Sequence, residues 1–323
     1  MLVTASLSMP NKSRSKNTNR DIPVLLMAFI RPDLLKKCLQ HLSSLKPPVL
    51  YVMGDGPRNS TEKSLCERSR VLAINPPWKC KVIPIFNEQN EGIVKSFIKG
   101  MSRMFSDYEY GIYLEDDIIL SPSFYQFAQE LLIKYRDEPR IGHINATNVV
   151  PAYTNKLRNS YHFGNYITEW GFATWRRVWN TYDVNMSRWE HVDQTSLLKK
   201  TTFNIRSRNS LKQMFDLHCN NPSPLAWGYQ WHFNCLNNNL LSITPSKNLS
   251  VNLGFEREDS TNTFGKNPFL NGLDTLNFPL RHPERIVADS TFDKRTEEEI
   301  CPSHWKVFFG KLTNKVKRVN NSR

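Results

Sequence analysis

Three consecutive carboxylates, Glu115, Asp116 and Asp117, follow an apolar run, Tyr110 to Leu114, that is rich in strand-forming residues. Negative charge at the tip of a buried strand is costly unless a cation neutralises it. Mg²⁺ and Mn²⁺ prefer hard oxygen ligands and in turn neutralise a diphosphate. The tripeptide therefore favours a divalent cation that carries a phosphate-linked substrate. The alternative for these three residues alone is a strand that ends in a solvated acidic turn.

The N-terminal half must position these carboxylates, and its apolar patterns alternate between strand and helix. The predicted strands are 22–29, 49–53, 82–86, 110–114 and 141–146, and the predicted helices are 32–42, 61–74, 92–105 and 124–135. Strands that are apolar throughout and joined by helices indicate an α/β, mostly parallel sheet with helices on its faces. Ligands bind at the carboxyl ends of strands in such sheets, where Arg31, Asp55 and Asp116 all fall.

An ordered series of motifs carries a resemblance to a known family. The series is AFIRP at 28–32, GDG at 54–56, NEG at 90–92, LEDD at 114–117, SPSF at 121–124, WGFATWRR at 170–177, WGYQW at 227–231 and PSKNLSVNLGF at 245–255. It resembles the nucleotide-sugar glycosyltransferases of the GT-A fold, in particular the N-acetylglucosaminyltransferase I-like and bacterial family 2-like branch. The resemblance covers about residues 21 to 290. It implies a Rossmann-like fold with a smaller acceptor-side half.

The resemblance also assigns roles at the carboxyl edge. It implies that Asp117 ligates Mn²⁺ or Mg²⁺, that Asp116 lies beside the ribose or a metal-bound water, and that Glu115 supports the sugar. Arg31 and Asp55 match nucleotide-binding positions, where an exposed Asp55 would accept from a pyrimidine ring N–H. The alternatives are that Asp55 is a turn former and that Arg31 is a solvated loop cation.

The second half is expected to bind the acceptor and to supply the base of an inverting transfer. Trp170 and Gly171 are placed at the sugar pocket, because an aromatic face stacks on sugars and a glycine lets the backbone come close. The family commonly has its catalytic acid in a W-D-x-x-W segment, but Gly228 occupies the matching position here. Glu169 is the first candidate for a relocated base and Asp216 the second.

Two further alternatives stay open for this half. Glu169 could instead be a surface carboxylate that forms an ion pair with Arg176 or Arg177. His162 and His232 could complete the metal shell, although a lone histidine is more often structural.

Composition and charge set outer limits. The 323 residues are 39% hydrophobic, enough for a substantial core, and no apolar run reaches the ~20 residues that cross a bilayer. The net charge is +13, of which residues 1–20 carry +4 and residues 303–323 carry +6, so the body retains only +3 and does not indicate a nucleic-acid-binding protein. The six cysteines show no zinc spacing, and no apolar leader precedes the fold, so we expect buried thiols and a cytoplasmic protein.

These observations divide the chain into four parts. Residues 1–20 form a flexible basic tail, 21–150 a nucleotide-sugar-binding half, 151–290 an acceptor and catalytic half, and 291–323 a basic tail. In the last part an apolar stripe at helical spacing runs from Trp305 to Val319 and predicts either peripheral contact with the anionic inner face of a membrane or packing on the body.

The predicted function is a metal-dependent, inverting hexosyl- or N-acetylhexosaminyltransferase of polysaccharide biosynthesis. It moves a sugar from a nucleotide-diphosphate donor, with UDP-sugars favoured, to a glycan or lipid-linked acceptor. One alternative is a catalytically silent homologue that binds sugar or nucleotide, which the missing acid at Gly228 would also predict. The other is a nucleotidyltransferase, which should have a Gly-rich phosphate loop after its first strand, where this chain has FIRP at 29–32.

Overall fold

A computed structural model describes residues 22 to 300, except 222, 223, 225, 256 and 258 to 271. Within these residues the chain forms ten strands and ten helices. The strands are β1 (Val24–Ala28), β2 (Val49–Gly54), β3 (Lys81–Phe86), β4 (Tyr110–Glu115), β5 (Ile118–Leu120), β6 (Ile141–Asn145), β7 (Tyr161–Gly164), β8 (Phe172–Trp175), β9 (Leu241–Pro245) and β10 (Ser250–Asn252). The helices are α1 (Pro32–Leu45), α2 (Ser60–Ile74), α3 (Ile93–Asp107), α4 (Pro122–Lys134), α5 (Pro151–Thr154), α6 (Arg176–Trp179), α7 (Gln194–Lys199), α8 (Ile205–His218), α9 (Gly228–Asn237) and α10 (Ser290–Ile300).

The N-terminal half alternates strand and helix as its sequence predicts. Strands β3, β2, β1 and β4 lie side by side and all pair in parallel, so their carboxyl ends meet at one edge of the sheet. Every residue of β1 and β2 is buried, which explains their continuous apolar runs. Local signals also agree with the boundaries: Pro32 opens α1, and the Asn59 side chain caps α2 by accepting from the Glu62 N–H at 3.1 Å.

The C-terminal half completes an eight-stranded sheet in the order β3-β2-β1-β4-β8-β6-β9-β7. Strand β8 runs antiparallel between β4 and β6, and β7 pairs antiparallel with β9 at the far edge. Four of the seven neighbouring pairs are parallel, so the α/β class and the mostly parallel sheet flanked by helices are confirmed. A separate pair, β5 with β10, lies where β4 ends and covers the acidic turn.

Two hydrophobic clusters stabilise the fold. The larger one joins the sheet to the helices on its faces and contains Trp175 and Trp231, both fully buried. The smaller one lies around Trp189, Phe215 and Phe233, between the 3₁₀ turn at Trp189–His191 and helices α7 to α9. The cysteines among the described residues are free thiols, as predicted, while Cys301 lies outside those residues.

The ends of the chain bear on two predictions. The tails 1–20 and 303–323, including the apolar stripe from Trp305 to Val319, lie outside the described residues. Residues 291–300, which the sequence assigns to the tail, belong to α10, whose Phe292 and Glu297 are each 1% exposed against the body. None of the described helices is long and apolar enough to span a bilayer.

Candidate functional site

The carboxylates predicted from the sequence meet Arg31 at the carboxyl ends of two neighbouring strands. Asp116 and Asp117 follow β4 and are 2% and 4% exposed. Arg31 follows β1, which pairs in parallel with β4, and its guanidinium bridges both aspartates. Its Nη1 lies 2.8 Å from Asp117 Oδ2, and its Nη2 donates to Asp116 Oδ1. The alternative of Arg31 as a solvated loop cation is therefore wrong.

Burial and mutual repulsion shift the ionisation of this group. Removal from water raises the pKa of Glu115 to about 7, and the charge of Asp117 adds to that shift. Burial likewise raises the pKa of Asp116 to about 6, although Arg31 opposes the change. Burial alone would lower the pKa of Arg31, but the three carboxylates raise it above its usual value. The carboxyl edge of the sheet therefore places the permanently charged Arg31 guanidinium among three carboxylates.

The donor set of Asp117 fits a divalent cation that shares its ligands with substrate and water. Asp117 Oδ1 is buried and has no hydrogen-bond partner in the described part of the chain. A Cβ at Gly254 would lie 2.3 Å from Asp117 Oδ2, so the backbone after β10 closely covers this carboxylate. Mg²⁺ characteristically keeps several waters and is bound by one or two carboxylates plus substrate phosphates. The free oxygen of Asp117 can therefore serve as the protein ligand.

No group of three or more His, Cys, Asp or Glu residues that could hold a metal by themselves occurs among the described residues. His162 lies on β7 beside Asp289, and His232 lies on α9 beside Tyr166 and Phe215. Burial lowers the pKa of His232 to about 4. Neither histidine has a contact with the acidic edge in the described structure, so the suggestion that they complete a metal shell is wrong.

Asp55 corrects the expectation of an exposed nucleotide-reading carboxylate. The residue is 8% exposed, and its side chain accepts five hydrogen bonds of 2.9 to 3.0 Å. The donors are the backbone N–H groups of Gly56, Glu91 and Gly92 and the side-chain amides of Asn87 and Asn90. An ionised carboxylate offers about four lone-pair sites. Asp55 therefore has no acceptor capacity left for a pyrimidine, and it fixes the loop from 87 to 92 instead.

Glu169 occupies the space that a side chain at position 228 would fill. A Cβ built on Gly228 would lie 1.6 Å from Glu169 Oε1 and 2.0 Å from its Cδ. The loss of water around the Glu169 carboxyl raises its pKa to about 7, and its charge contributes to the raised pKa of Glu115. Arg176 and Arg177 donate to backbone carbonyls instead, so the alternative that Glu169 answers one of these arginines is wrong.

Trp170 and Gly171 follow Glu169 in the loop before β8. Gly171 has a φ of +82°, and a Cβ there would meet Leu120 Cδ2 at 2.9 Å, so the turn requires glycine. The Trp170 ring is partly exposed and meets Phe255 edge-on, with 5.4 Å between ring centroids. Their roles at a sugar remain predictions.

Asp216 is not joined to this site. It lies on α8, where its carboxylate accepts from Trp189 Nε1 at 2.9 Å and from Lys212 Nζ at 2.7 Å. Within the described structure no hydrogen bond or ion pair links it to Glu115, Asp116 or Asp117. These contacts favour a structural role for Asp216 and leave Glu169 as the candidate base.

Two aromatic donors on Glu115 were missed by the sequence analysis. Tyr113 Oη donates to Glu115 Oε1 at 2.7 Å, and Trp227 Nε1 lies 3.4 Å from the same oxygen. The first pair has a sequence signal, because residues two apart on a strand share a face. The second has none, because Trp227 precedes α9 and is far from β4 in the sequence. In the fold its ring stacks on Phe97 of α3 at 4.2 Å and meets Tyr113 of β4 edge-on at 5.0 Å.

Comparisons with known proteins add a distant likeness. No protein-family model and no curated protein matches the chain. Among solved structures, a mannosyltransferase from Pyrobaculum calidifontis in complex with GDP-Man and Mn²⁺ is 10% identical, with a TM-score of 0.35, and the alignment covers 67% of this chain and 69% of that one. The galactosyltransferase LgtC, in complex with donor and acceptor sugar analogues, is 10% identical with a TM-score of 0.32, covering 68% and 86%.

A 4-diphosphocytidyl-2C-methyl-D-erythritol synthase from Anaerococcus prevotii aligns at a similar level. It is 10% identical, with a TM-score of 0.31, and the alignment covers 62% of this chain and 85% of that one. The functional argument therefore rests on the residues of the site.

Proposed function

We propose that this protein is a metal-dependent, inverting glycosyltransferase that uses a nucleotide-diphosphate sugar. The observation that carries the proposal is the Glu169 carboxylate, which lies against Gly228 and within electrostatic reach of Glu115. A carboxyl whose pKa is about 7 is poised to accept a proton at neutral pH. Its neighbour in space is an edge where Arg31 and Asp117 can receive a diphosphate and its cation. The acceptor is proposed to be a glycan or a lipid-linked sugar.

Each residue has a distinct part in the proposed reaction. Glu169 would take the proton from the acceptor hydroxyl as that oxygen attacks the anomeric carbon opposite the departing diphosphate. Asp117 would hold the cation through Oδ1, and the bound cation would neutralise the diphosphate. Arg31 supplies a permanent positive charge beside it. Trp170 would stack on a sugar face.

No described residue of the site now indicates which nucleotide base the donor carries, because the acceptor sites of Asp55 are all taken by donors of its own turn and of the neighbouring loop. UDP-sugars are therefore tested in parallel with GDP- and dTDP-sugars. The assay is nucleotide release from each donor, with Mn²⁺ and with EDTA. We expect one donor to be hydrolysed or transferred only with the metal, and undiminished activity in EDTA would contradict the metal assignment.

A matched pair of variants tests Asp117. Asp117→Asn removes a metal ligand and should abolish donor turnover with little loss of stability, since one charge leaves a repulsive cluster. Asp137→Asn changes an aspartate whose side chain is 86% exposed and should leave turnover unchanged. Full activity in Asp117→Asn would exclude the proposed cation site.

The contact between Glu169 and Gly228 allows a sharper test. Gly228→Asp alone should impair the enzyme, because the new carboxylate would meet the existing one. Glu169→Gly alone should abolish transfer. The exchange variant Glu169→Gly/Gly228→Asp places one carboxylate back in the same space, and we expect it to recover part of the transfer rate. A double variant as inactive as Glu169→Gly would show that the location of the carboxylate is not what matters.

The silent-homologue alternative has one observation in its favour, namely that Arg31 already pairs with both aspartates. It predicts binding of nucleotide or sugar without turnover of any donor. A nucleotidyltransferase would instead release pyrophosphate from a nucleoside triphosphate. We further propose that the tail 303–323, whose charge is +6, brings the enzyme to anionic membrane surfaces from the cytoplasm.

A further inference from the structure

A basic cleft lies beside β7, the edge strand of the sheet on the side opposite to β3. Its volume is about 600 Å³, and it is lined by residues 158, 159, 162 and 163 on one side and by residues from 281–289 on the other. The charged and titratable residues of its lining are Arg158, His162, Arg281, His282, Glu284, Arg285 and Asp289. None of them belongs to the acidic edge described above.

Backbone hydrogen bonds fix both ends of the segment 281–289. At one end the Ser160 N–H donates to the Arg281 carbonyl, and the Arg281 N–H donates to Ser160 Oγ, each at 2.9 Å. At the other end the Asp289 N–H donates to the Phe163 carbonyl at 2.8 Å. The segment is therefore an arch whose two ends are tied to β7 and to the residue before it, which places its side chains around the cleft.

The cleft has more cationic than anionic side chains, with three exposed arginines against two carboxylates. The side chains of Arg158, Arg281 and Arg285 have neither a hydrogen bond nor an ion pair with any described residue. Asp289 is already engaged, because its Oδ1 accepts from the Thr291 and Phe292 N–H groups at the start of α10. Glu284 is exposed and is the one other carboxylate in the lining.

His162 provides a second, independent observation. Its side chain is 7% exposed, its Nδ1 lies 3.7 Å from Asp289 Oδ2, and its Nε2 is buried without a partner in the described structure. A buried ring nitrogen left unpaired is energetically unfavourable. In the tautomer that carries its proton on Nε2, the neutral His162 ring would offer a hydrogen-bond donor to an anionic ligand at this cleft, which the residue lines.

The sheet register connects the cleft to the proposed active site. Tyr113 pairs with Phe172, and Phe172 pairs with Asn145. Asn145 donates to Thr244 Oγ1 at 2.8 Å, and Thr244 pairs with His162. His162 therefore lies on the same face of the sheet as Tyr113 and Glu115 and near the same edge. Four strand spacings separate β4 from β7, which is about 19 Å.

We propose that the basic cleft binds an anionic group, a phosphate or a carboxylate, carried by the acceptor at a distance from its reacting hydroxyl. Guanidinium groups bind either anion through paired, charge-assisted hydrogen bonds. The anion site stands on its own residues, whereas its assignment to the acceptor rests on the function proposed above. The face of the sheet between Glu169 and the cleft is buried, with Phe172, Asn145 and Thr244 each at most 2% exposed. An extended acceptor would therefore run from Glu169 to the cleft over the carboxyl edge of the sheet.

Calorimetry without divalent metal tests the site with defined probes: inorganic tripolyphosphate, hexagalacturonate and the neutral maltohexaose. We expect the wild type to bind an anionic probe and not the neutral one. Arg281→Ala/Arg285→Ala should weaken that binding by about tenfold or more, and added salt should weaken it further. Whichever anion binds more tightly identifies the chemistry of the natural group.

The matched control is Arg68→Ala/Arg206→Ala, which removes the same charge from two exposed positions on α2 and α8. It should bind the probe as the wild type does, and the His162 ring signal should move in NMR spectra when the probe is added. Equal weakening in both double variants, an unmoved His162 signal, or no binding of either anion would overturn the proposal. Because the assay needs no donor turnover, its result is separate from that of the glycosyltransferase test.

Discussion

Glu169 is the residue on which the proposed chemistry depends most, and its ionisation gives a direct prediction. Its pKa is raised to about 7 because the carboxyl is removed from water. A base acts only when deprotonated, so the transfer rate should be constant above that pH and fall about tenfold per unit below it. Glu169→Gln should lower the rate by roughly 10²- to 10⁴-fold and remove this step. The measurement is the rate of transfer at saturating donor as a function of pH.

Glu115 is the necessary control for that profile, because its pKa is also about 7. Glu115→Gln should change the rate while leaving a step near neutral pH. If the step survives in Glu169→Gln and disappears in Glu115→Gln, the titrating base is Glu115. Donor binding, measured by calorimetry in both variants, separates loss of the base from loss of the site.

The hydrogen bonds of Asp55 predict that its substitution lowers the stability of the fold, and no longer that it impairs recognition of a nucleotide base. Asn at this position offers one acceptor oxygen, so several of the five donors around it would lose their partner. Asp55→Asn should lower the free energy of unfolding by about 1–3 kcal/mol, measured by urea denaturation. The backbone amides of Glu91 and Gly92 should also exchange faster with solvent. Glu67→Gln, at an exposed position on α2, should change neither, and a stable Asp55→Asn protein would restore a ligand-binding role.

Among the elements, α10 holds two parts of the C-terminal half together through buried carboxylates. Asp293 accepts from the Asn165 N–H after β7, and Glu297 accepts from the Phe203 N–H, at 3.0 Å, two residues before α8. Glu297→Ala should cost about 1 kcal/mol, because it leaves the partly buried backbone N–H groups of Phe203 and Asn204 without their acceptor. Glu298→Ala, one residue along on the exposed face of the helix, should be neutral in the same urea titration. Equal stabilities would show that α10 is not a structural clasp.

The elements that the sequence predicted are those with long, uniform patterns. The alternation up to β6 was predicted, apart from the three-residue strand β5, because β1 and β2 are apolar throughout and α1 and α3 each have a distinct apolar face. Strands β7 and β8 have four residues each, too short for a pattern, so the antiparallel insertion was not predicted. The role of Asp55 was misjudged for another reason: its donors at 87–92 lie on another loop, and local turn chemistry does not reveal them.

The surroundings of the candidate base likewise depend on contacts between distant loops, which local sequence does not reveal. Glu169 and Gly228 were both singled out from the sequence, one as a candidate and the other as a missing acid. Their contact arises only when the loop before β8 meets the start of α9, which no spacing in the sequence encodes. By contrast, the convergence of Arg31 with Asp116 follows from parallel pairing of β1 and β4, and the sequence was sufficient to place both at one edge.

For the molecule as a whole, charge is concentrated at the ends, and this predicts where the enzyme works. The two tails carry +4 and +6 of the net +13, while the body retains +3. The apolar stripe from Trp305 to Val319 would lie at a headgroup boundary, and each neighbouring Lys or Arg would add about 1 kcal/mol of attraction to anionic lipid. Removing residues 303–323 should release the protein from phosphatidylglycerol vesicles and leave donor hydrolysis intact. The cleft variant Arg281→Ala/Arg285→Ala should still sediment with those vesicles, and neither protein should sediment with phosphatidylcholine alone. A truncated protein that sediments as before would assign the stripe to packing on the body and would remove the support for a lipid-linked acceptor.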